Sequence, residues 1–223
     1  MALDSVDLFA DARQNMVDSQ IRPNKVSDPR ILAAMRTLPR HRFLPAEQAA
    51  LAYADEDVPL GHGRVLMEPM VLARLLQAAE PVEGERVLIV GAGVGYGAAV
   101  LTACGCRVTA LEEDATLHDR SRDVLIEFAP GVAAVSGPLT AGWPSAAPYD
   151  IIVIEGAIPE IPAAIAQQLR AETGRLVTVL RGPGRTGQAV FAEYADGVVR
   201  AQPLFDCATP TLPAFQPAPA FEF

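Results

Sequence analysis

The segment 86–97, RVLIVGAGVGYG, places four glycines at alternate positions, Gly91, Gly93, Gly95 and Gly97, directly behind an aliphatic run. Glycine is required where a side chain would block a ligand or where φ must be positive. A short apolar run that stops at Gly-x-Gly reads as a buried parallel strand feeding a tight turn. Residues 96–104 are mostly small and helix-compatible. A helix starting there would offer free N–H groups and the positive end of its dipole to an anionic ligand group. A second strand-like run, Arg107–Leu111, ends in Glu112, Glu113 and Asp114. An acid at that point can bind ribose hydroxyls and disfavours a 2′-phosphate, which sets NADP behind NAD or S-adenosylmethionine. The candidate cofactor contacts are therefore Gly91, Ala92, Gly93, Gly95 and Tyr96 in the turn, with Glu112 and its neighbour Glu113 at the ribose. A glycine-rich turn that holds no ligand is the plain alternative.

The spacing separates two cofactor classes. A dinucleotide fingerprint wants Gly-x-Gly-x-x-Gly. Counted from Gly91 the sixth residue is Tyr96, and counted from Gly93 it is Ala98. Gly-x-Gly-x-Gly fits without substitution and looks like the first motif of the S-adenosylmethionine methyltransferases. An NAD oxidoreductase would suit the strand and Glu112 but not the glycines.

These residues need an α/β scaffold, and the rest of the chain supplies its pattern. Strand and helix signals alternate from Arg86: 86–90, 96–104, 107–111, 115–128, 132–135, 150–154, 160–170 and 175–180. That order predicts a parallel sheet covered on both faces. Segments 188–194 and 198–204 flank Ala195-Asp196-Gly197, an Asp-Gly hairpin signal that adds an antiparallel pair at one edge. Upstream, residues 4–20 read as an acidic helix and 28–38 as a better one, with Asp28 as cap and Pro29 in the first turn. Residues 45–52 are helical, 53–64 a loop, and 69–79 a helix. The proline-rich end, TPTLPAFQPAPAFEF, reads as extended chain on the surface, with Phe215, Phe221 and Phe223 as docking candidates. The expected organisation is a helical N-terminal extension with a substrate-side loop (1–80), a Rossmann-like cofactor domain (81–205) and an extended tail (206–223).

Composition narrows the function classes. The 223 residues suit one α/β domain with a small extension. A net charge of −9 argues against nucleic acid as a partner. No apolar run approaches the ~18 residues of a membrane span. The first twenty residues lack a basic and then apolar leader, so a cytoplasmic location is expected. Cys104, Cys106 and Cys207 cannot all pair and lack zinc-site spacing, which suggests reduced structural thiols and no metal.

Several longer stretches resemble one family. MVDSQIRPNKVSDPRILAAMRTLPRHRFLP, then LAYADEDVPLGHG, then VGAGVGYGAAVL and GWPSAAPYDIIVIEGAIPEIP are similar to the protein-L-isoaspartate O-methyltransferases over roughly residues 13–182. The resemblance implies a class I methyltransferase fold with a seven-strand sheet. It implies S-adenosylmethionine as cofactor and S-adenosylhomocysteine as product. It implies a protein or peptide partner carrying isoaspartyl damage, whose α-carboxylate receives the methyl group. The ester then collapses to a succinimide that reopens partly to aspartate, a repair reaction. A monomer or weak homodimer is expected.

The family pattern changes at its active centre. After Gly-His-Gly the family carries a Thr-x-Ser-x-Pro-like segment, and Pro69 sets the alignment. Val65 stands at the threonine and Met67 at the serine, so both hydroxyls are lost. His62 lies in the preceding loop and is the one ordinary base candidate there. Pro138 and Leu139 stand where an acid near the adenine is expected. Glu155 replaces a small residue after the fourth strand, where it would repel a carboxylate acceptor if ionised. Met67, Val65, Glu155 and His62 are thus the catalytic candidates, with Arg64 and Glu68 beside them. Arg64 is expected as an exposed loop charge, or as a partner of Glu155 across the cleft mouth. Two other readings stay open: a different, neutral or cationic acceptor, and a scaffold protein that keeps the fold without repair activity.

Overall fold

The computed structural model describes residues 9–216. The N-terminal extension is a series of short helices. Helix α1 (Ala10–Asn15) runs into a π-helical turn over Met16–Ile21, and α2 spans Pro29–Thr37. Asp28 caps α2 by accepting from the Arg30 amide at 2.8 Å, and Pro29 fills the first turn, where no amide is needed. Ile31, Leu32, Ala34 and Met35 form its buried face. The stretch at 46–51 is 3-10 rather than α-helical.

Residues 53–64, read as a loop, contain most of a hairpin. Strands β1 (Val58–Gly61) and β2 (Arg64–Leu66) pair antiparallel through a turn in which Gly61, His62 and Gly63 all have positive φ. Strands this short carry too few residues for a period-two signal, so the sequence could not announce them. Helix α3 (Pro69–Ala78) follows.

The main domain alternates as expected: β3 (Arg86–Val90), α4 (Tyr96–Ala103), β4 (Arg107–Glu112), α5 (Ala115–Phe128), β5 (Ala133–Ser136), β6 (Ile151–Ile158), α6 (Ala163–Ala166), β7 (Arg175–Leu180), β8 (Gly187–Ala195) and β9 (Val198–Cys207). They form a seven-stranded sheet in the order β5-β4-β3-β6-β7-β8-β9, parallel through β7 and antiparallel at β8 and β9. The chain direction across the sheet reverses between β3 and β6, and ligands of open α/β sheets bind at the carboxyl ends of the strands at such a point. Helix α6 is far shorter than the predicted 160–170. Pro162 is its cap residue, and from Gln167 the chain turns to bond Tyr149 and Asp150.

Side-chain alternation splits the core between the two faces of the sheet. Val87, Ile89, Ile151 and Val153 pack with the N-terminal extension, α3 and α4. Leu88, Val90, Ile152 and Ile154 pack with Tyr149, Leu169, Leu212 and Phe215 on the other face. The tail after β9 is therefore not surface chain. Leu212 and Phe215 are 3% and 8% exposed, and the segment 210–212 exchanges backbone bonds with β6: Ala157 N to Pro210 O at 3.0 Å and Leu212 N to Ala157 O at 2.8 Å. Phe215 docks as expected; Phe221 and Phe223 lie outside the described residues. Among the described residues no helix is long and apolar enough to cross a membrane.

Candidate active site

The glycine turn forms as the sequence requires. Gly91, Gly93 and Gly95 have φ of 75°, 56° and 86°, a region other residues seldom adopt. The amides of Gly91 and Ala92 both donate to Leu111 O at 3.0 Å, which ties the turn after β3 to the end of β4. Leu125 of α5 packs so closely on Gly95 that a β-carbon there would meet it at 2.9 Å.

Glu112 ends β4 beside this turn, where a ribose acid belongs. Its carboxylate is already filled. Oε1 accepts from Arg64 Nη1 at 2.6 Å and from the Glu113 and Asp114 amides at 2.9 and 3.0 Å. Oε2 accepts from Arg64 Nη2 at 2.9 Å and from the Gly93 amide at 2.7 Å. Five donors meet the roughly four lone-pair sites of a carboxylate. The expectation of an exposed Arg64 is overturned, as is its pairing with Glu155. Arg64 is 4% exposed and Glu112 1%, and Arg64 Nη2 also donates to Gly91 O at 2.9 Å. A planar guanidinium fits a carboxylate with two parallel bonds, which explains why Glu112 takes the fork.

The turn is also covered. A methyl group at Gly91 would come within 3.2 Å of Arg64 Nη2 and 3.3 Å of Leu212 Cδ1. One at Gly93 would meet Leu60 Cδ1 at 3.5 Å, and one at Gly63 would meet Pro213 Cγ at 3.1 Å. The β1–β2 hairpin and the segment after β9 thus touch each other over the turn, and all of 91–97 is buried.

Glu155 lies inside β6 rather than after it, because the strand continues to Ile158. Val153 pairs with Val177 and Ala157 with Val179, so three residues of β6 oppose one of β7. Such bulges re-aim side chains. The Glu155 carboxyl reaches α4, where a β-carbon on Gly97 would sit 1.8 Å from Oε1. It caps no helix, since α6 begins at Ala163 behind Pro162. Burial pushes its pKa up to about 8, against the pull of Arg64 and Arg40. At neutral pH the group is mostly uncharged, which removes the repulsion expected of an ionised Glu155.

Arg40 joins the site without any motif to mark it. It is fully buried, donates to Ala52 O at 2.7 Å and to Met67 O at 2.6 Å, and stacks over the Tyr96 ring at 4.8 Å. Its position in LPRHRF gave no sign of this, because its acceptors are backbone carbonyls distant in sequence. Tyr96 is fully buried and meets Phe43 edge-on, with ring centroids 5.2 Å apart. Glu155 Oε1, Arg40 Nη1, Arg64 Nε and the Tyr96 hydroxyl are buried without a hydrogen-bond partner.

The other candidates divide. Met67 is 1% exposed within the core, whereas Val65 is half-buried opposite Pro59. His62 is exposed and holds Asp114, the cap of α5, through Nδ1 at 2.5 Å. That bond lowers the Asp114 pKa. Glu68 is half-buried, and its pKa rises to about 7 through burial and the neighbouring Asp55 and Asp57. Glu113 Oε2 accepts from the Leu139 amide at 3.3 Å, which brings Pro138 and Leu139 to the end of β4. The cysteines are free and buried, and no metal-holding cluster occurs among the described residues.

S-adenosylmethionine fits this framework by residue type and place: three positive-φ glycines, the following helix and an acid at the next strand end. The space at Gly91 and the acceptors of Glu112 are held by Leu212 and Arg64. Comparison with known proteins agrees with the framework. The model of the protein-L-isoaspartate(D-aspartate) O-methyltransferase family matches residues 11–207. A protein-L-isoaspartate O-methyltransferase 1 of Rhodopseudomonas palustris (strain HaA2) is 42% identical over 78% of this chain and 71% of its own. One from Methanoculleus marisnigri is 38% identical over 86% and 87%. A solved protein-L-isoaspartate O-methyltransferase superposes with a TM-score of 0.77 at 23% identity, over 90% of this chain and 65% of that one. A Plasmodium falciparum structure, described as a complex of such an enzyme with S-adenosyl-L-homocysteine, gives 0.74 at 18% identity over 91% and 98%. The sheet order, the glycine turn and this similarity along most of the chain place it in the protein-L-isoaspartate (D-aspartate) O-methyltransferase family.

Proposed function

We propose that this chain is an S-adenosylmethionine-dependent methyltransferase acting on the α-carboxylate of isoaspartyl residues in damaged protein. The observation that carries the reading is the Gly91–Gly95 turn at the reversal point of the sheet, with Glu112 ending the adjacent strand. The cofactor supplies an electrophilic methyl group. The chain supplies position. The turn at Gly91, Ala92, Gly93 and Gly95 faces the amino-acid end, and Glu112 with Glu113 the ribose. Pro138 and Leu139 sit toward the adenine. A carboxylate acceptor is already an anion and needs no base, so alignment is the main contribution of the protein. The absence of hydroxyls at Val65 and Met67 therefore does not forbid the reaction. A neutral Glu155 adds no opposing charge, and Arg40 fixes the Met67 backbone on the substrate side. Buried, unpaired thiols suit the reducing cytoplasm.

A second reading keeps the cofactor and changes the acceptor. The acidic rim of Asp55, Asp57 and Glu68 favours a cationic group over a carboxylate. Labelled methyl transfer to matched peptides carrying isoaspartate, aspartate or lysine tests both. Base-labile label on the isoaspartyl peptide alone supports repair; stable label on the lysine peptide supports the second reading.

A further inference from the structure

Resting on the cofactor reading above, we propose that Arg64 and Leu212 are internal occupants of the cofactor site, so that the cofactor binds only by displacing them. Three independent observations converge. The ribose acid Glu112 has no acceptor capacity left while Arg64 holds both its oxygens. A β-carbon on Gly91 would meet both Arg64 Nη2, at 3.2 Å, and Leu212 Cδ1, at 3.3 Å. The two elements that carry them are joined where Pro213 meets Gly63.

The covering segment is built to sit there and able to leave. Gly156 provides the seat: a β-carbon at that position would lie 2.4 Å from Leu212 Cγ. The segment is held to β6 by the two backbone bonds at Ala157, and Arg181 Nη1 donates to Thr209 O at 3.1 Å. This is one isolated bridge, not a ladder. Its outer side borders an open cleft of about 660 Å³ lined by Pro159, Arg181, Thr211 and Phe215, which gives it room to move. Arg64 stands on a three-residue strand of a two-stranded sheet that is separate from the main seven-stranded one. When Arg64 leaves, Glu112 keeps its three backbone amides and gains acceptor sites for ribose hydroxyls.

A protein whose competent state is a minor fraction shows an affinity reduced by that fraction. Calorimetric titration with S-adenosylhomocysteine therefore reads the gate directly. Arg64→Gln and Leu212→Ala should each tighten binding, by about tenfold for the arginine, while Arg64→Lys, which keeps a charge on Glu112, stays near wild type. Hydrogen exchange on the wild-type protein gives a second measurement free of substitutions. The Leu212 and Ala157 amides should lose protection when saturating S-adenosylhomocysteine is added. Equal affinity in wild type and folded Arg64→Gln and Leu212→Ala variants, with unchanged protection of those amides, overturns the gate and leaves the cofactor reading standing. No binding by any of the proteins, the opened variants included, overturns both.

Discussion

Arg64 and Glu112, 48 residues apart, form a two-pronged buried ion pair at the place where a cofactor ribose is expected. The two charges are not equally dependent on each other. Without Arg64, Glu112 still accepts from the amides of Gly93, Glu113 and Asp114. Without Glu112, Arg64 keeps only the Gly91 carbonyl.

That asymmetry sets a prediction for stability. Glu112→Ala strands a buried cation and should cost about 3–5 kcal/mol. Arg64→Gln leaves a satisfied carboxylate and should cost less, roughly 1–3 kcal/mol. Urea denaturation of the two variants measures the difference. A greater loss in Arg64→Gln than in Glu112→Ala would show that the pair is not organised as described.

Glu155 and Glu68 should make the protein lose stability as the solution turns alkaline. Their folded pKa values, about 8 and about 7, lie above the ordinary 4.5. The folded state then binds more protons than the unfolded state between those limits, so stability is greatest below pH 4.5 for this contribution and declines as pH rises toward 8. The melting temperature should fall by roughly 5 °C between pH 6 and pH 9. Glu155→Gln should flatten the part of the curve above pH 7. A melting temperature that rises over this range in the wild type contradicts the assignment.

Gly97 and Glu155 should be coupled. A β-carbon on Gly97 would lie 1.8 Å from Glu155 Oε1. Glycine to alanine within a helix normally gains about 1 kcal/mol; here Gly97→Ala should instead destabilise by about 2 kcal/mol or more through overpacking. In the background of Glu155→Ala the same change should become neutral or favourable, a coupling of about 2 kcal/mol or more in a double-mutant cycle. Additive effects would place the Glu155 carboxyl elsewhere.

The two lost hydroxyls should not be equally restorable. Val65 is half-buried in β2, and Val65→Thr should cost less than about 1 kcal/mol. It should raise methyl transfer to an isoaspartyl peptide several-fold by returning the hydroxyl that the proposed acceptor site lacks. Met67 is core, and Met67→Ser should cost roughly 2–4 kcal/mol without a matching gain in rate. Denaturation and single-turnover methylation separate the two, and a stable, more active Met67→Ser protein would reverse the ranking.

Much of the scaffold was legible in the chain because its signals are local. The aliphatic runs at 86–90, 107–111 and 175–180 are buried parallel strands, and such strands need only apolar side chains of the right length. Asp28-Pro29 marked a helix start through chemistry confined to one turn. The Gly91–Gly95 turn and the acid at Glu112 followed from residue type at fixed spacing, and each stands where it was expected. The hairpin at 58–66 and the shortness of α6 escaped because three or four residues carry no period. What occupies the site was decided by tertiary structure alone. Arg64 reads as a loop charge until the fold sets it beside Glu112. Glu155 reads as a residue past its strand until β6 extends and bulges. Leu212 reads as part of a proline-rich tail until Gly156 offers it a seat over Gly91. Each of these depends on groups 27 to 121 residues apart that meet only when the sheet has formed, and no local propensity records such a meeting.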